Sequence, residues 1–411
     1  MVENQENLKM ISFAIALKII EKNVPISKKN EQISVDSSVN RILSSNLHSK
    51  CDYPRENLSA MDGAVIFKKD LNLKKIKIVG EIKASDIYSD DFNHGETKLI
   101  YTGGYVPGKE KVIIPKENFE ILNSDNFLKI KKKKINDYIR KKGSDFKINE
   151  LCLKKNKKIS LRDISLAQTM KFQKIKVKKK PKVLVIVTGD ELVTDNRKDP
   201  LVVSTNQFIL KEIITSLGGE IINVLHSKDN IDDLEQLINK FDNFDLLISS
   251  GGISKGKYDL VKTVLKKKRL KILFDKVSIK PGKPTTFGMF SKKKFFLGLP
   301  GNPVSCLTSL IFFFSRFINS FYGQNYVNLI EENLILQNRL KKNNNFTNFL
   351  RIKIRKKKPP QFYVFPKQDS SQIKVLSDSD GIFIRKPFEN EIPAGTKCKV
   401  LLFRNIFSGK I

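Results

Sequence analysis

The residues of this 411-residue chain best suited to chemistry lie in five loops rich in Gly, Pro or Asp, each following an apolar run. The first is Thr188-Gly189-Asp190-Glu191, after Lys182–Val187. Asp229 follows Glu220–Leu225, and Ser249-Ser250-Gly251-Gly252-Ile253-Ser254 leads on to Asp259. Ile279-Lys280-Pro281-Gly282-Lys283-Pro284 sets two ammonium groups at a short separation, which suits an oxyanion or a phosphate. Leu299-Pro300-Gly301-Asn302-Pro303-Val304-Ser305 puts stiff backbone where a helix starts, a site for anions. Gly251 and Gly252 permit backbone N–H groups to wrap a phosphate. Glu191, Asp229 and Asp259 are hard oxygen donors of the kind Mg²⁺ prefers. Each loop alone has a plainer reading, as a tight turn, a helix cap or a solvated charge; as a set they are far more specific.

Elements that position these loops follow from periodicity. Continuous apolar runs at Lys182–Val187, Asp245–Ser249 and Phe295–Leu299, with Glu220–Leu225, read as buried strands. Helical spacing separates them at Gln207–Leu217, Ile231–Phe241 and Tyr258–Lys268, and continues at Val304–Phe321. Strands alternating with helices demand parallel pairing by right-handed crossovers, hence a doubly wound three-layer α/β domain over 179–326. Ligands of such a sheet bind outside the carboxyl ends of its strands, where all five loops fall.

The flanking sequence has a different texture. Helical patterns at 8–22, Val39–Leu47 and Leu161–Gln173 predict a helical linker built from 1–50 and 146–178. Between them, 51–145 carries short runs at Lys75–Val79, Thr97–Tyr101, Lys111–Ile114 and Leu128–Lys132, predicting an inserted β-rich domain. Residues 327–411 alternate at Phe362–Phe365, Gly381–Ile384 and Lys397–Phe403, predicting a C-terminal β-barrel. The fold class is thus multidomain α/β plus β.

Composition excludes several function classes. Four scattered cysteines (Cys51, Cys152, Cys306, Cys398) form no CxxC pair and read as reduced thiols. Three dispersed histidines offer no zinc-hydrolase spacing. The N-terminus shows no signal peptide, and the apolar run Leu307–Phe314 is short of the ~20 residues that span a bilayer, so the expectation is a cytoplasmic protein with no membrane partner. The net charge of +33 would draw polyanions, yet only 12 of the 76 basic residues are arginine and the excess is spread along the whole chain. That spread fits compositional drift, predicting no specific nucleic-acid partner, while a functional basic patch remains the alternative.

The order TGDEL, SSGGxSxG followed by Asp, IKPGKP and LPGNPVS resembles the molybdopterin molybdenumtransferase family, which includes the E-domain of gephyrin. The likeness extends to Ser59-Ala60-Met61-Asp62-Gly63, Tyr101-Thr102-Gly103-Gly104, Ile139-Arg140-Lys141-Lys142-Gly143-Ser144-Asp145, Phe349-Leu350-Arg351 and Gln368-Asp369-Ser370. It departs from the family pattern at Ala64, Glu110, Lys255 and Lys257. The resemblance implies Mg²⁺-assisted insertion of molybdate into adenylyl-molybdopterin, with release of AMP. It implies a homodimer, with transient contact to the molybdopterin adenylyltransferase that acts before it. Lys280, Lys283, Arg351 and Ser370 would hold molybdate, with Lys276 facing substrate beside Gly251, Gly252, Ser254, Pro300 and Pro303. Catalytic roles would fall to Glu191, Asp229 and Asp259, which would hold the Mg²⁺, and to Asp62 and Thr102 approaching from the partner subunit. Rival readings are the adenylyltransferase itself and a non-catalytic scaffold.

Overall fold

The structure, a computed structural model, describes residues 9–84, 86, 90–122, 126–131, 136–188, 206–227, 231–251, 260–291, 293–355 and 357–406. The Ser12 hydroxyl accepts the Ile15 N–H at 3.3 Å and caps helix α1 (Phe13–Asn23). Contacts divide the chain into two compact units, one of residues 30–178 and the other of 1–29 with 179–411.

In the unit 30–178 the strands in chain order are β1 (Asn30–Ser34), β2 (Leu47–His48), β3 (Leu58–Ser59), β4 (Gly63–Phe67), β5 (Ile76–Ile82), β6 (Glu96–Ile100), β7 (Lys111–Pro115), β8 (Phe119–Leu122), β9 (Phe127–Ile130), β10 (Ile139–Arg140), β11 (Leu151–Leu153) and β12 (Lys174–Lys178). Six form one sheet in the order β7-β4-β6-β5-β9-β8. The central strand β4 is buried over Gly63–Ile66, and its Ala64 and Ile66 pack with Ile76, Val112, Ile114 and Leu128. Helix α2 (Leu161–Thr169) opens on a capping box between Ser160 and Asp163. The helix expected over Val39–Leu47 is not formed. Asn40 is left-handed at φ 62°, and Leu43 and Ser44 instead bond along β12. Ser44, Ser45 and Asn46 are weak helix formers, because their side chains compete for nearby backbone groups.

The other unit contains β13 (Lys182–Thr188), β14 (Glu220–Ser227), β15 (Leu246–Ser250), β16 (Lys271–Phe274), β17 (Ile279–Lys280), β18 (Thr286–Ser291) and β19 (Lys294–Leu299). Its sheet runs β14-β13-β15-β19-β18-β16, parallel through β19 and antiparallel at the last two strands. Alternate residues Leu184 and Ile186 of β13 pack on helices α4 (Ile231–Asn239) and α5 (Leu260–Lys267), while α3 (Asn206–Ser216) and α6 (Pro303–Tyr322) pack together and α3 also meets β13 and β14. The result is the doubly wound three-layer arrangement the alternation predicted. Helix α6 is long and apolar enough to cross a membrane by length and composition, but 83% of that stretch is buried within the fold.

The last strands are β20 (Glu331–Leu336), β21 (Thr347–Arg355), β22 (Gln361–Val364), β23 (Gly381–Arg385) and β24 (Lys397–Leu402). They run β21-β22-β20-β24-β23, and a β21–β23 pairing closes them into a five-stranded barrel. Residues 1–29, grouped by the sequence with 146–178, belong by contacts to this unit. Phe13 packs edge-on against Phe312, Phe313 and Phe349, and Lys29 pairs with Asp245 at 2.8 Å.

Candidate active site

The parallel register places the last residues of β14, β13, β15 and β19 on one edge: Thr188 lies beside Ser227, and Ser250 beside both Val187 and Leu299. Gly251 continues β15 at φ +88°, and a Cβ there would sit 2.8 Å from the Thr188 carbonyl oxygen. Only glycine lets the two strand ends approach so closely. Asn206, buried at the start of α3, donates to Ser250 Oγ at 2.9 Å and to the Gly301 carbonyl at 2.5 Å. Thr188 Oγ1, Ser249 Oγ and Asn206 Oδ1 are buried without a hydrogen-bond partner among the described residues. Since orphaned buried polar atoms are costly, this polar floor is suited to a bound polar group. Cys306 beneath it is fully buried; burial pushes its thiol up to about 12, which removes it as a nucleophile.

Two further loops reach this edge. Lys276, Lys280 and Lys283 lie on a stretch held from three sides. Ile11 bridges Val277, the Ser278 N–H donates to Ile11 O at 2.7 Å, and β17 pairs with β21. Gly282, at φ +109°, would bring a Cβ within 2.5 Å of Ser309 Oγ on α6. Thr285 Oγ1 donates to Gly282 O at 2.6 Å and shares a hydrogen bond with Ser309 at 2.8 Å. The loop is therefore fixed, while Lys280 and Lys283 are exposed and make no ion pair with any described residue. Pro303 occupies the first turn of α6, whose N-cap Asn302 makes no side-chain cap. Asn302 Nδ2 instead reaches Ser370 Oγ at 3.1 Å, so the Pro300–Pro303 loop meets the 368–370 loop of the barrel.

Arg351 is turned inward. It is 2% exposed, and its donors meet the 368–372 loop. Nε donates to Gln368 Oε1 at 3.2 Å, Nη1 to Gln372 O at 3.2 Å and Nη2 to Asp369 O at 2.9 Å. Burial lowers its pKa, with Asp369 opposing. The planar fork thus shapes the loop that carries Ser370, where the sequence reading had it grip the oxyanion directly. Asp369 is itself held below the usual carboxylate range by the Ser371 hydroxyl, then the Ser371 N–H, with Arg351 and Lys280 adding attraction.

In the unit 30–178, two motifs far apart in sequence meet. Asp62 Oδ1 accepts the Thr102 N–H at 2.7 Å and the Thr102 hydroxyl at 2.7 Å. These bonds, the backbone one first, hold the Asp62 carboxyl below its ordinary value. The two segments are knit by Ser59 N–H to Gly104 O at 2.9 Å and Gly103 N–H to Ser59 O at 2.8 Å. Both Asp62 and Thr102 are exposed.

Sequence profiles of three regions match successive parts of the chain. "MoeA N-terminal region (domain I and II)" matches residues 11–170, "Probable molybdopterin binding domain" 184–320, and "MoeA C-terminal region (domain IV)" 333–403. The chain belongs to the MoeA family. The molybdopterin molybdenumtransferase of Staphylococcus aureus is 28% identical over 361 residues, spanning 82% of this chain and 85% of that protein. Its Staphylococcus epidermidis counterpart is 28% identical over 356 residues, spanning 84% and 83%. The structure is similar to that of the molybdopterin biosynthesis MoeA protein of Pyrococcus horikoshii, with TM-score 0.79, 25% identity and coverage of 96% of this chain and 99% of that one. A second structure of that protein from the same organism gives TM-score 0.76 at 21% identity.

Within this MoeA chain, Glu191, Asp229, Gly252, Ser254 and Asp259 lie outside the described residues, as do Lys255 and Lys257. Among the described residues no group of His, Cys, Asp and Glu could hold a metal ion. Ala64, one of the departures from the family pattern, is a core residue of β4. The sequence reading did not single out Asn206, Thr285 or Ser309; isolated small polar residues carry no spacing signal, and only the register of neighbouring strands and helices reveals them.

Proposed function

We propose that this MoeA protein inserts molybdenum from molybdate into adenylyl-molybdopterin, releasing AMP and forming the molybdenum cofactor. The observation that carries this reading is the meeting of the Lys280–Lys283 loop, the uncapped start of α6 and the Ser370 loop along one sheet edge. Molybdate, the substrate, is a tetrahedral dianion. Lys280 and Lys283 supply positive charge, and the Ser370 hydroxyl and first-turn N–H groups of α6 supply fixed donors. Lys276 completes the basic side, and Pro300 and Pro303 stiffen the loop. Arg351 acts through the 368–372 loop as a positioning residue. Positioning and electrostatic stabilisation dominate over covalent catalysis.

Glu191, Asp229 and Asp259 are the donors we assign to Mg²⁺. Each follows the end of one of the adjacent strands β13, β14 and β15, and an all-carboxylate set suits a hard ion. The ion when bound would offset charge on the leaving phosphate. Gly251 borders the same edge, and Gly252 and Ser254 follow it in the chain. The protein would work in the cytoplasm as a homodimer, Asp62 and Thr102 coming from the second copy, and receive substrate from the adenylyltransferase.

The test is molybdate-dependent AMP release by purified protein given adenylyl-molybdopterin and Mg²⁺. Lys283→Ala should raise the molybdate concentration needed about tenfold or more, the scale of one lost charge contact. Asp62→Ala should abolish turnover while circular dichroism stays unchanged. AMP release that ignores molybdate, or near-normal turnover by both variants, would overturn the reading.

A further inference from the structure

A second concentration of positive charge lies in the unit 30–178, within a cavity of about 740 Å³. Three segments wall it. Lys68 and Lys69 sit on the turn leaving β4, Lys109 on the turn entering β7, and Lys141 and Lys142 on the stretch leaving β10, with Asn57 between. Lys142 is already paired, its Nζ 3.1 Å from Glu56 and its N–H bonded to Asn57 Oδ1 at 3.0 Å. Lys68, Lys69, Lys109 and Lys141 are exposed and make no ion pair with any described residue.

The walls are fixed. The Lys68 N–H donates to Glu110 O at 2.8 Å, and the Ile113 N–H to Asp137 O at 3.2 Å, so the segments are tied by backbone bonds. Glu110 itself is left-handed at φ 58°, which is unfavourable for a residue with a Cβ and persists only where the surroundings demand it. Lys111 forms the floor. Its Nζ is held by Asp91 at 2.7 Å and lies 3.1 Å and 3.9 Å from the ring centres of Phe67 and Phe92. That ammonium is structural and adds only its field. Opposing the four unpaired lysines are two carboxylates on the lining, Glu110 and Asp137.

We infer that this cavity is a binding site for the di- or triphosphate group of a small molecule. The concave volume falls in the range of about 300–1,000 Å³ typical of small-ligand sites. Several lysine point charges from separate segments suit a ligand carrying several anionic oxygens in a row. A monoanion gains little against the two carboxylates; a ligand with two or more charges gains from every lysine. Lys68, Lys69 and Lys109 flank the Phe67 and Lys111 end of the β4–β7 ladder, whereas Asp62 adjoins the Gly63 and Pro115 end; Lys141 and Lys142 follow β10, which pairs with β3 on the Asp62 side. Neither Asp62 nor Thr102 lines the cavity, and the inference does not rest on the molybdenum reaction.

The experiment is titration calorimetry of the full chain with inorganic pyrophosphate and tripolyphosphate at low ionic strength. It uses a Lys280→Ala, Lys283→Ala background so that the α/β edge does not contribute. Binding with one site per chain should persist there, and should weaken about tenfold or more when Lys69→Glu and Lys109→Glu are added. Lys74→Glu with Lys77→Glu, which reverses the same charge on exposed residues outside the cavity, should weaken it less than about threefold. Absence of binding in the background would overturn the inference, as would equal losses in the two charge-reversed variants, which would mark a diffuse field. Tighter capture of a short single-stranded oligonucleotide than of tripolyphosphate would also overturn it, in favour of a macromolecular polyanion.

Discussion

Replacing Arg351 by alanine separates a residue that binds substrate from one that builds the loop that does. The side chain makes charge-assisted hydrogen bonds to Gln368 Oε1, Asp369 O and Gln372 O, all while 2% exposed. Hydrogen bonds from a charged group contribute about 1.5–3 kcal/mol each, offset by the cost of burying the cation. Removing the guanidinium leaves three neutral acceptors without their donor, at about 1–3 kcal/mol for each that water cannot reach. That cost should fall locally, on the 365–378 segment, whose amides of Phe365, Gln372 and Ile373 bond to Arg351 O, Asp369 O and Ser371 O. At about 1.4 kcal/mol per tenfold, hydrogen exchange of peptides covering this segment should accelerate by about a hundredfold or more. Sheet peptides of β13 and β15 should not change. Molybdenum insertion should fall in step, and Arg351→Lys should rescue neither reading, because one ammonium cannot span three acceptors. The reasoning is refuted if Arg351→Ala raises the molybdate requirement while exchange in 365–378 stays as in the parent protein. That pattern would make Arg351 a direct oxyanion ligand.

Two other perturbations test local packing. Gly63→Ala would place a Cβ 2.0 Å from Ile114 O across the β4–β7 ladder, so the strands must part. A destabilisation of about 1–3 kcal/mol is expected, read as a lower melting temperature, and an unchanged melting curve would show that the ladder yields freely. The Cys306 thiol, pushed up to about 12 by burial, should resist Ellman's reagent at pH 8 until the protein unfolds; rapid labelling of Cys306 in the folded protein would contradict the buried placement.

How much of this was legible in the sequence depends on the kind of signal. The central sheet was, because Lys182–Val187 and Asp245–Ser249 are continuous apolar runs, as strands buried on both faces must be. The antiparallel strands β16 and β18 were not found, since Lys271–Phe274 and Thr286–Ser291 mix polar and apolar residues without a clean period. The longest barrel strand, β21, was not singled out although Arg351-Ile352-Lys353-Ile354-Arg355 alternates with the period of two that marks a half-buried strand. The Val39–Leu47 segment misled in the opposite direction, because apolar spacing suggested a helix that Asn40 and the pull of β12 prevent.

The site itself shows a sharper division. The family resemblance put Lys280, Lys283, Arg351 and Ser370 together as an expected set, but could not say whether the guanidinium would turn to the protein or to solvent. That depends on Gln368, Asp369 and Gln372 folding back over it, a tertiary fact with no local signature. Asp62 is the converse case. An exposed carboxylate needs no partner for the sake of the fold, yet it accepts two bonds at 2.7 Å from one threonine that follows the neighbouring strand β6. Both go to Oδ1, which fixes the carboxylate and keeps it ionised while leaving Oδ2 without a protein donor among the described residues. An exposed group oriented by donors that serve no buried core is arranged for something outside the chain, which supports the proposal that Asp62 joins the reacting groups although the lysines proposed to meet molybdate lie in the other unit.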